Sequence, residues 1–184
     1  MNAAVPPSEP SHTDIVRTLL DAGAVRFGDF TLTSGEKSDV YIDVKKAWTD
    51  PRRLDLLARA LSARVGPTDR LAGMELGAVP LVVATALRTG HAYIVLRKAA
   101  KEHGTRQPYE GDLSPGLRVL LIEDVTTTGG STVRSVEIVR AAGGVVDRVL
   151  VVVDRESGAA ARLAAVGVRV EPLVTLSELR GARP

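Results

Sequence analysis

Cysteine is absent from the 184 residues, which excludes disulfides, zinc-thiolate centres and thiol nucleophiles and agrees with an expected cytoplasmic enzyme. Aromatic residues make up only 3%, so a core has to be assembled mainly from Val, Leu and Ala. Charge of one sign is scarce too: the net charge is +2, too small by itself to suggest nucleic-acid binding, and the pI near 9.1 reflects a slight excess of Arg and Lys over acids. No apolar run approaches the length of a membrane span, so neither a nucleic acid nor a membrane is expected as a partner. The opening MNAAVPPSEPSH lacks the basic and apolar parts of a secretion signal; residues 1–11 read as a disordered lead-in to a single domain over 12–184.

What is present is an alternation of apolar runs and amphipathic stretches. Ile15, Val16, Leu19 and Leu20 space one side of a helix over 12–23, ending at Gly23. Two short strand-like pieces over 24–43 flank a Ser34-Gly35 turn. Asp50-Pro51 joins a capping side chain to a first-turn proline, and Leu54, Leu57, Ala58, Leu61 and Val65 continue one apolar face toward Gly66. Strands are expected at 70–76, 92–96, 119–122, 145–153 and 168–174, with helices after Gly77, after Gly130, over 158–166 and at the C-terminus. Alternation of this kind predicts a parallel α/β sheet flanked by helices, with right-handed crossovers. One stretch breaks the rhythm. Residues 97–116, RKAAKEHGTRQPYEGDLSPG, have hardly an apolar side chain, and a connector of that length inside a compact domain is usually functional or disordered; a mobile loop is expected there.

Residues 117–131, LRVLLIEDVTTTGGS, carry the chemistry most visibly. The run Val119–Ile122 suits a strand buried on both faces, and it ends in Glu123 and Asp124 before the small-residue loop Thr126-Thr127-Thr128-Gly129-Gly130-Ser131. Free amides at the start of the following helix, with hydroxyls around them, make an anion site; a plain polar turn is the alternative. Strand alternation expects the two acids to point to opposite sides, one toward a crevice and the other serving the fold. Carboxylates there suit sugar hydroxyls or a water-bridged Mg²⁺ better than a metal-only site. Arg97, Lys98, Lys101 and His103 place four cationic or potentially cationic groups within seven residues, as an arm closing over an anion would, or as a solvated face would. Asp154 and Arg155 follow a strongly apolar strand; the arginine suits a planar ring or a carboxylate, the aspartate a helix start. His12, His91 and Trp48 read as structural or surface residues. Gly73 to Pro80, Arg97 onward, Glu123 to Ser131 and Asp154-Arg155 are all expected at the carboxyl ends of strands, where open α/β sheets bind ligands.

At these residues the chain resembles a known family. IEDVTTTGGS resembles the phosphoribosyl-diphosphate motif of type I phosphoribosyltransferases, and RKAAKEHG, at 97–104, resembles the mobile loop of orotate phosphoribosyltransferases. FGDFTLTSGEKSDVYID, at 27–43, and VVDRESG, at 152–158, are similar to the same family's orotate-side segment and its later arginine. The resemblance implies a type I phosphoribosyltransferase-like parallel sheet, a small N-terminal hood over 12–48 and the mobile loop over 97–116. It implies transfer of the phosphoribosyl group from 5-phospho-α-D-ribose 1-diphosphate to orotate in UMP synthesis, with Mg²⁺ bound mainly through substrate and water. It names Lys101, Glu123 and Asp124 as catalytic. Arg97, Lys98, Lys101, His103, Glu123, Asp124, Val125, Thr126, Thr127, Thr128, Gly129, Gly130 and Ser131 would bind the sugar diphosphate. Thr127 and Arg155, with backbone around Tyr41 and Ile42, would face orotate. It further implies a homodimer in which 97–103 reaches the neighbouring site.

Two departures stand out: Thr33 and Gly77 occupy positions where many bacterial members carry lysine, which points to the archaeal-like branch or to weakened substrate contacts. Two other readings stay open at this level. One is transfer to another nucleobase; the other is a regulator of the same fold that binds nucleic acid.

Overall fold

Strands that are apolar on both faces need cover on both faces, and the chain supplies it with helices from each side. The structure is a computed structural model that describes residues 9–31, 37–98 and 107–183. In chain order the elements are α1 (His12–Asp21), β1 (Val25–Thr31), β2 (Lys37–Ile42), α2 (Lys45–Trp48), α3 (Pro51–Ser62), β3 (Arg70–Met74), α4 (Val79–Thr89), β4 (Ala92–Leu96), β5 (Tyr109–Glu110), β6 (Val119–Thr126), α5 (Gly130–Ala141), β7 (Arg148–Asp154), α6 (Ala159–Ala164), β8 (Arg169–Thr175) and α7 (Leu176–Gly181). Strands pair in the order β5-β4-β3-β6-β7-β8, parallel except for antiparallel β5 at the edge.

Alternation along β6 sorts its side chains between two cores. Leu120 and Ile122 join Ile15, Leu19, Leu57, Leu61 and Leu81 on one face, while Val119 and Leu121 join Val136, Val139 and Leu163 on the other. Helices α1, α3, α4 and α7 therefore cover the first face and α5 and α6 the second, giving three layers. Each buried Val or Leu contributes roughly 1.5–3 kcal/mol through burial, which is how a core with so few aromatics holds together.

Local signals position these helices. The Asp50 carboxylate accepts from the Arg52 and Arg53 amides, both at 3.0 Å, so Asp50-Pro51 starts α3 as its residue types require. Ser11 and Asp14 form a reciprocal capping box at α1. The hairpin β1–β2 is a separate two-stranded sheet; its turn at Ser34-Gly35, and Thr33 with it, lies outside the described residues.

Three expectations need adjustment. The strand expected over 70–76 stops at Met74, because Glu75, Leu76 and Gly77 form a turn into α4 that includes a cis Glu75–Leu76 peptide. The strand expected from 145 begins at Arg148, with Val145 reduced to an isolated bridge to Arg118. The stretch 97–116 is not one loop. Tyr109 and Glu110 return as β5 onto β4, and Leu113 is buried in the α5-side core. Two apolar residues too far apart to show a period were enough to fold that half back.

Candidate functional site

Parallel strands deliver their carboxyl ends to one edge of the sheet, and there the ends of β3, β4 and β6 surround a cleft of 370 Å³. Lys45, Glu75, Gly77, Lys98, Glu123, Asp124, Val125 and Ser131 are among its lining residues. Both acids of β6 reach it, so the expected division of one acid to the site and one to the fold does not hold. Glu123 is 7% exposed and bends back to accept the Asp124 amide at 3.3 Å; Asp124 is half-buried and accepts the Val125 amide at 2.9 Å. Burial first, and then the neighbouring Asp124 charge, push the Glu123 carboxyl well above the usual carboxylate range. Asp124 rests directly against Gly77: a Cβ there would stand 2.2 Å from Asp124 Oδ2. This contact is a physical reason for glycine at the position where a lysine was noted as missing.

The loop after β6 opens the first turn of α5. Gly129 is the N-cap residue with φ +76°, and a Cβ on it would stand 3.1 Å from Ala159 Cα, so only glycine suits this backbone. No side chain caps α5, which leaves its first amides available to an anion beside exposed Thr127, Thr128 and Ser131. Thr126 is placed differently from the cradle role expected of it. It is 2% exposed, and its hydroxyl donates to Asp154 Oδ1 at 3.1 Å, tying β6 to β7. Asp154 also accepts the Glu156 amide at 2.9 Å, so it organises the turn that presents Arg155.

On the neighbouring side, Arg155 Nη2 donates to Ser38 Oγ at 3.3 Å, bringing the end of β7 to the hairpin, and Arg155 Nε is buried without a partner among the described residues. Tyr41 packs its ring on Phe30 at 5.7 Å between centroids, with the Arg26 guanidinium 5.0 Å from the Tyr41 centroid; Ile42 is half-buried beside it. Spacing gave no sign of Arg26 or Ser38. The hairpin pairs Arg26 with Tyr41, and its second strand brings Ser38 to Arg155.

The cationic arm divides. Arg97 is tied down: its guanidinium reaches Glu110 Oε1 at 2.8 Å and 3.0 Å, and its amide donates to the Pro108 carbonyl at 2.8 Å. The edge strand β5 thus supplies an ion-pair partner for Arg97. Lys98 stays exposed on the cleft, its amide held by Glu75 Oε1 at 3.0 Å. Lys101 and His103 lie outside the described residues. His12 pairs on the surface with Glu178 at 3.1 Å, and Trp48 is partly buried against the core, as residues of structural use.

A second cleft, of 460 Å³, opens at the opposite end of the strands beside Arg118, Arg148 and Glu171. Arg148 is spent there on the carbonyls of Arg64 (2.8 Å) and Val65 and on Glu171 (3.3 Å), which makes it a tie between strand ends. Among the described residues no group of three His, Asp or Glu side chains is placed to hold a metal unaided, and no helix is long and apolar enough to cross a membrane.

No family model matches the chain. Individual relatives do. It is 46% identical over 173 residues to the orotate phosphoribosyltransferase of Methanosarcina acetivorans, covering 93% of this chain and 92% of that one. The crystal structure of the Aeropyrum pernix orotate phosphoribosyltransferase superposes with a TM-score of 0.81 at 35% identity, covering 91% of this chain and 96% of that one. A Mycobacterium tuberculosis orotate phosphoribosyltransferase in complex with 5-phospho-α-D-ribosyl 1-diphosphate superposes at 0.75 with 30% identity, covering 93% and 99%. Similarity of this extent covers the acids, the threonine-glycine loop and the hairpin together. The chain belongs to the orotate phosphoribosyltransferase family.

Proposed function

We propose a division of labour for the reaction of this family, in which the chain transfers the phosphoribosyl group of 5-phospho-α-D-ribose 1-diphosphate to orotate and releases orotidine 5′-monophosphate and diphosphate. One observation carries the assignment of roles: β6 acids, the uncapped start of α5, the 75–77 turn and Lys98 converge on one cleft, with Arg155 and the hairpin beside it.

The 5′-phosphate sits at the first amides of α5 with the hydroxyls of Thr127, Thr128 and Ser131, where the helix dipole favours an anion. Glu123 and Asp124 accept from the ribose hydroxyls. Orotate lies between the backbone of Tyr41 and Ile42 and the Arg155 guanidinium, with Thr127 alongside. Departure of diphosphate leaves an oxocarbenium-like sugar, so the protein has mainly to align the orotate nitrogen behind C1, stabilise the leaving charge and exclude water. Lys98, with Lys101 and His103 on the arm, meets the leaving diphosphate; the arm closes over the bound pair.

The donor set fits Mg²⁺ in one way. Glu75, Glu123 and Asp124 offer hard oxygen ligands around the cleft, without a cage of three, which suits an ion held through water and substrate oxygens. Bound there, Mg²⁺ would neutralise charge on the diphosphate.

We further propose a cytoplasmic homodimer. Leu76, Leu87 and Tyr93 are exposed apolar side chains on the 75–77 turn, α4 and β4, and association would cover them. Sedimentation as a monomer at assay concentration would count against this. The activity is tested by following orotate consumption with the sugar diphosphate and Mg²⁺; a folded protein without turnover overturns the reading. Lys101→Ala is expected to fold normally and to lose at least about a hundredfold in turnover, on the scale seen when one preorganised charge contact is removed, and a near-normal rate would remove Lys101 from the chemistry.

A further inference from the structure

The cleft contains a cation that none of the sequence motifs marks. Lys45 opens α2, two residues after Asp43, and lines the cleft with the acids of β6. Its backbone is fixed: Val44 before it and Ala47 after it are both 0% exposed in the core. Its side chain is about half exposed, and Nζ lies 2.7 Å from Asp43 Oδ1, a carboxylate that is itself largely buried. The residue is therefore anchored at its backbone, while its half-exposed ammonium is paired with Asp43 at the edge of the cleft.

The charges around it explain what such a cation does. Glu75 and Asp124 bring carboxylates to the cleft beside the buried Glu123, whose proton is held to higher pH, and among the described lining residues Lys45 and Lys98 are the cations. A cleft so lined repels a multiply charged anion unless cations face it. The 75–77 turn contributes none, because Asp124 fills the space where a side chain on Gly77 would begin. Arg97 is held away by Glu110. Lys45 keeps its proton: the Asp43 contact raises its pKa, and the charge of Asp124 adds to this.

We propose that Lys45 is a substrate-binding residue that takes the diphosphate end of the sugar substrate in this cleft. This rests on the assignment of the cleft to 5-phospho-α-D-ribose 1-diphosphate made above. On binding, the ammonium exchanges part of its contact with Asp43 for phosphate oxygens. Lysine suits this as a mobile point charge on a flexible stem.

The test is steady-state kinetics on the full chain with Lys45→Ala, Lys45→Gln and Lys45→Arg, together with inhibition by inorganic diphosphate. In Lys45→Ala and Lys45→Gln the KM for the sugar diphosphate and the inhibition constant of inorganic diphosphate should each rise tenfold or more. The KM for orotate should stay within twofold, and Lys45→Arg should recover most of the loss. Unchanged constants, a rise confined to orotate, or equal rises for both substrates would each overturn the proposal; the last marks a merely structural residue. Wild-type protein assayed in parallel separates the two levels. No wild-type turnover defeats the reading of the cleft, whereas wild-type turnover with normal Lys45→Ala constants defeats only the role of Lys45.

Discussion

Replacing Gly77 with alanine adds one methyl group to a turn, and the structure says where that methyl goes. The new Cβ would stand 2.2 Å from Asp124 Oδ2, 2.6 Å from Cγ and 2.9 Å from Oδ1, so Oδ2 has to retreat by about 1 Å, the shortfall from ordinary van der Waals contact, and the rest of the carboxylate by less. The backbone itself does not resist, since Gly77 is not among the residues of positive φ. Asp124 pays in its hydrogen bond from the Val125 amide, 2.9 Å long, and a bond to a charged group contributes about 1.5–3 kcal/mol. As an upper bound, that cost lowers the melting temperature by roughly 3–12 °C for a chain of this size. The catalytic loss should be larger in proportion, because a 1 Å misplacement at a reacting centre costs on the order of a hundredfold. Thermal unfolding by circular dichroism and initial rates of orotate consumption read the two effects. The decisive control is the Asp124→Ala background, where the three atoms nearest the methyl are gone and the substitution should add nothing further to either loss. A wild-type rate for Gly77→Ala, or losses that add in the double variant, would refute the claim that Asp124 and Gly77 share this contact. Gly77→Lys is subject to the same clash and should not improve the enzyme.

Glu123→Gln should trade activity for stability. The folded chain holds the Glu123 proton to higher pH than the unfolded chain does, so native stability falls as pH rises from the ordinary glutamate range through the raised folded value. The variant should match wild type in melting temperature at low pH, exceed it increasingly toward neutral pH, and turn over more slowly; a gain that is largest in acid would contradict the sign. Thr126→Val removes the buried hydroxyl that donates to Asp154 and leaves that carboxylate with the Glu156 amide. A loss of about 1.5–3 kcal/mol in chemical denaturation is expected, and unaltered stability would mean that the β6–β7 tie contributes little.

Local chemistry carried much of this protein into plain view. The Asp50-Pro51 start of α3, the all-apolar run of β6 and the glycine needed before α5 each depend on interactions within a few residues of chain, and each is where the sequence alone places it. The acids and the threonine-glycine loop were legible for the same reason, as was the family, whose motifs are short and ordered. Other features needed the tertiary structure, because they are pairings across long separations. Arg97 is neutralised by Glu110, which becomes a neighbour only when β5 folds back onto β4. The Thr126 hydroxyl ties β6 to β7 because parallel pairing sets it level with Asp154. Asp124 occupies the space where a side chain on Gly77 would begin, a contact between residues far apart along the chain. Lys45 carried no signal in any spacing; the short helix after the hairpin brings it to the cleft. The sequence by itself determined which anchors exist and at which strand ends they emerge. Which charges remain free to meet the substrate was decided by the folded pairing, since an ion pair or a close contact depends on distance in space and not on distance along the chain.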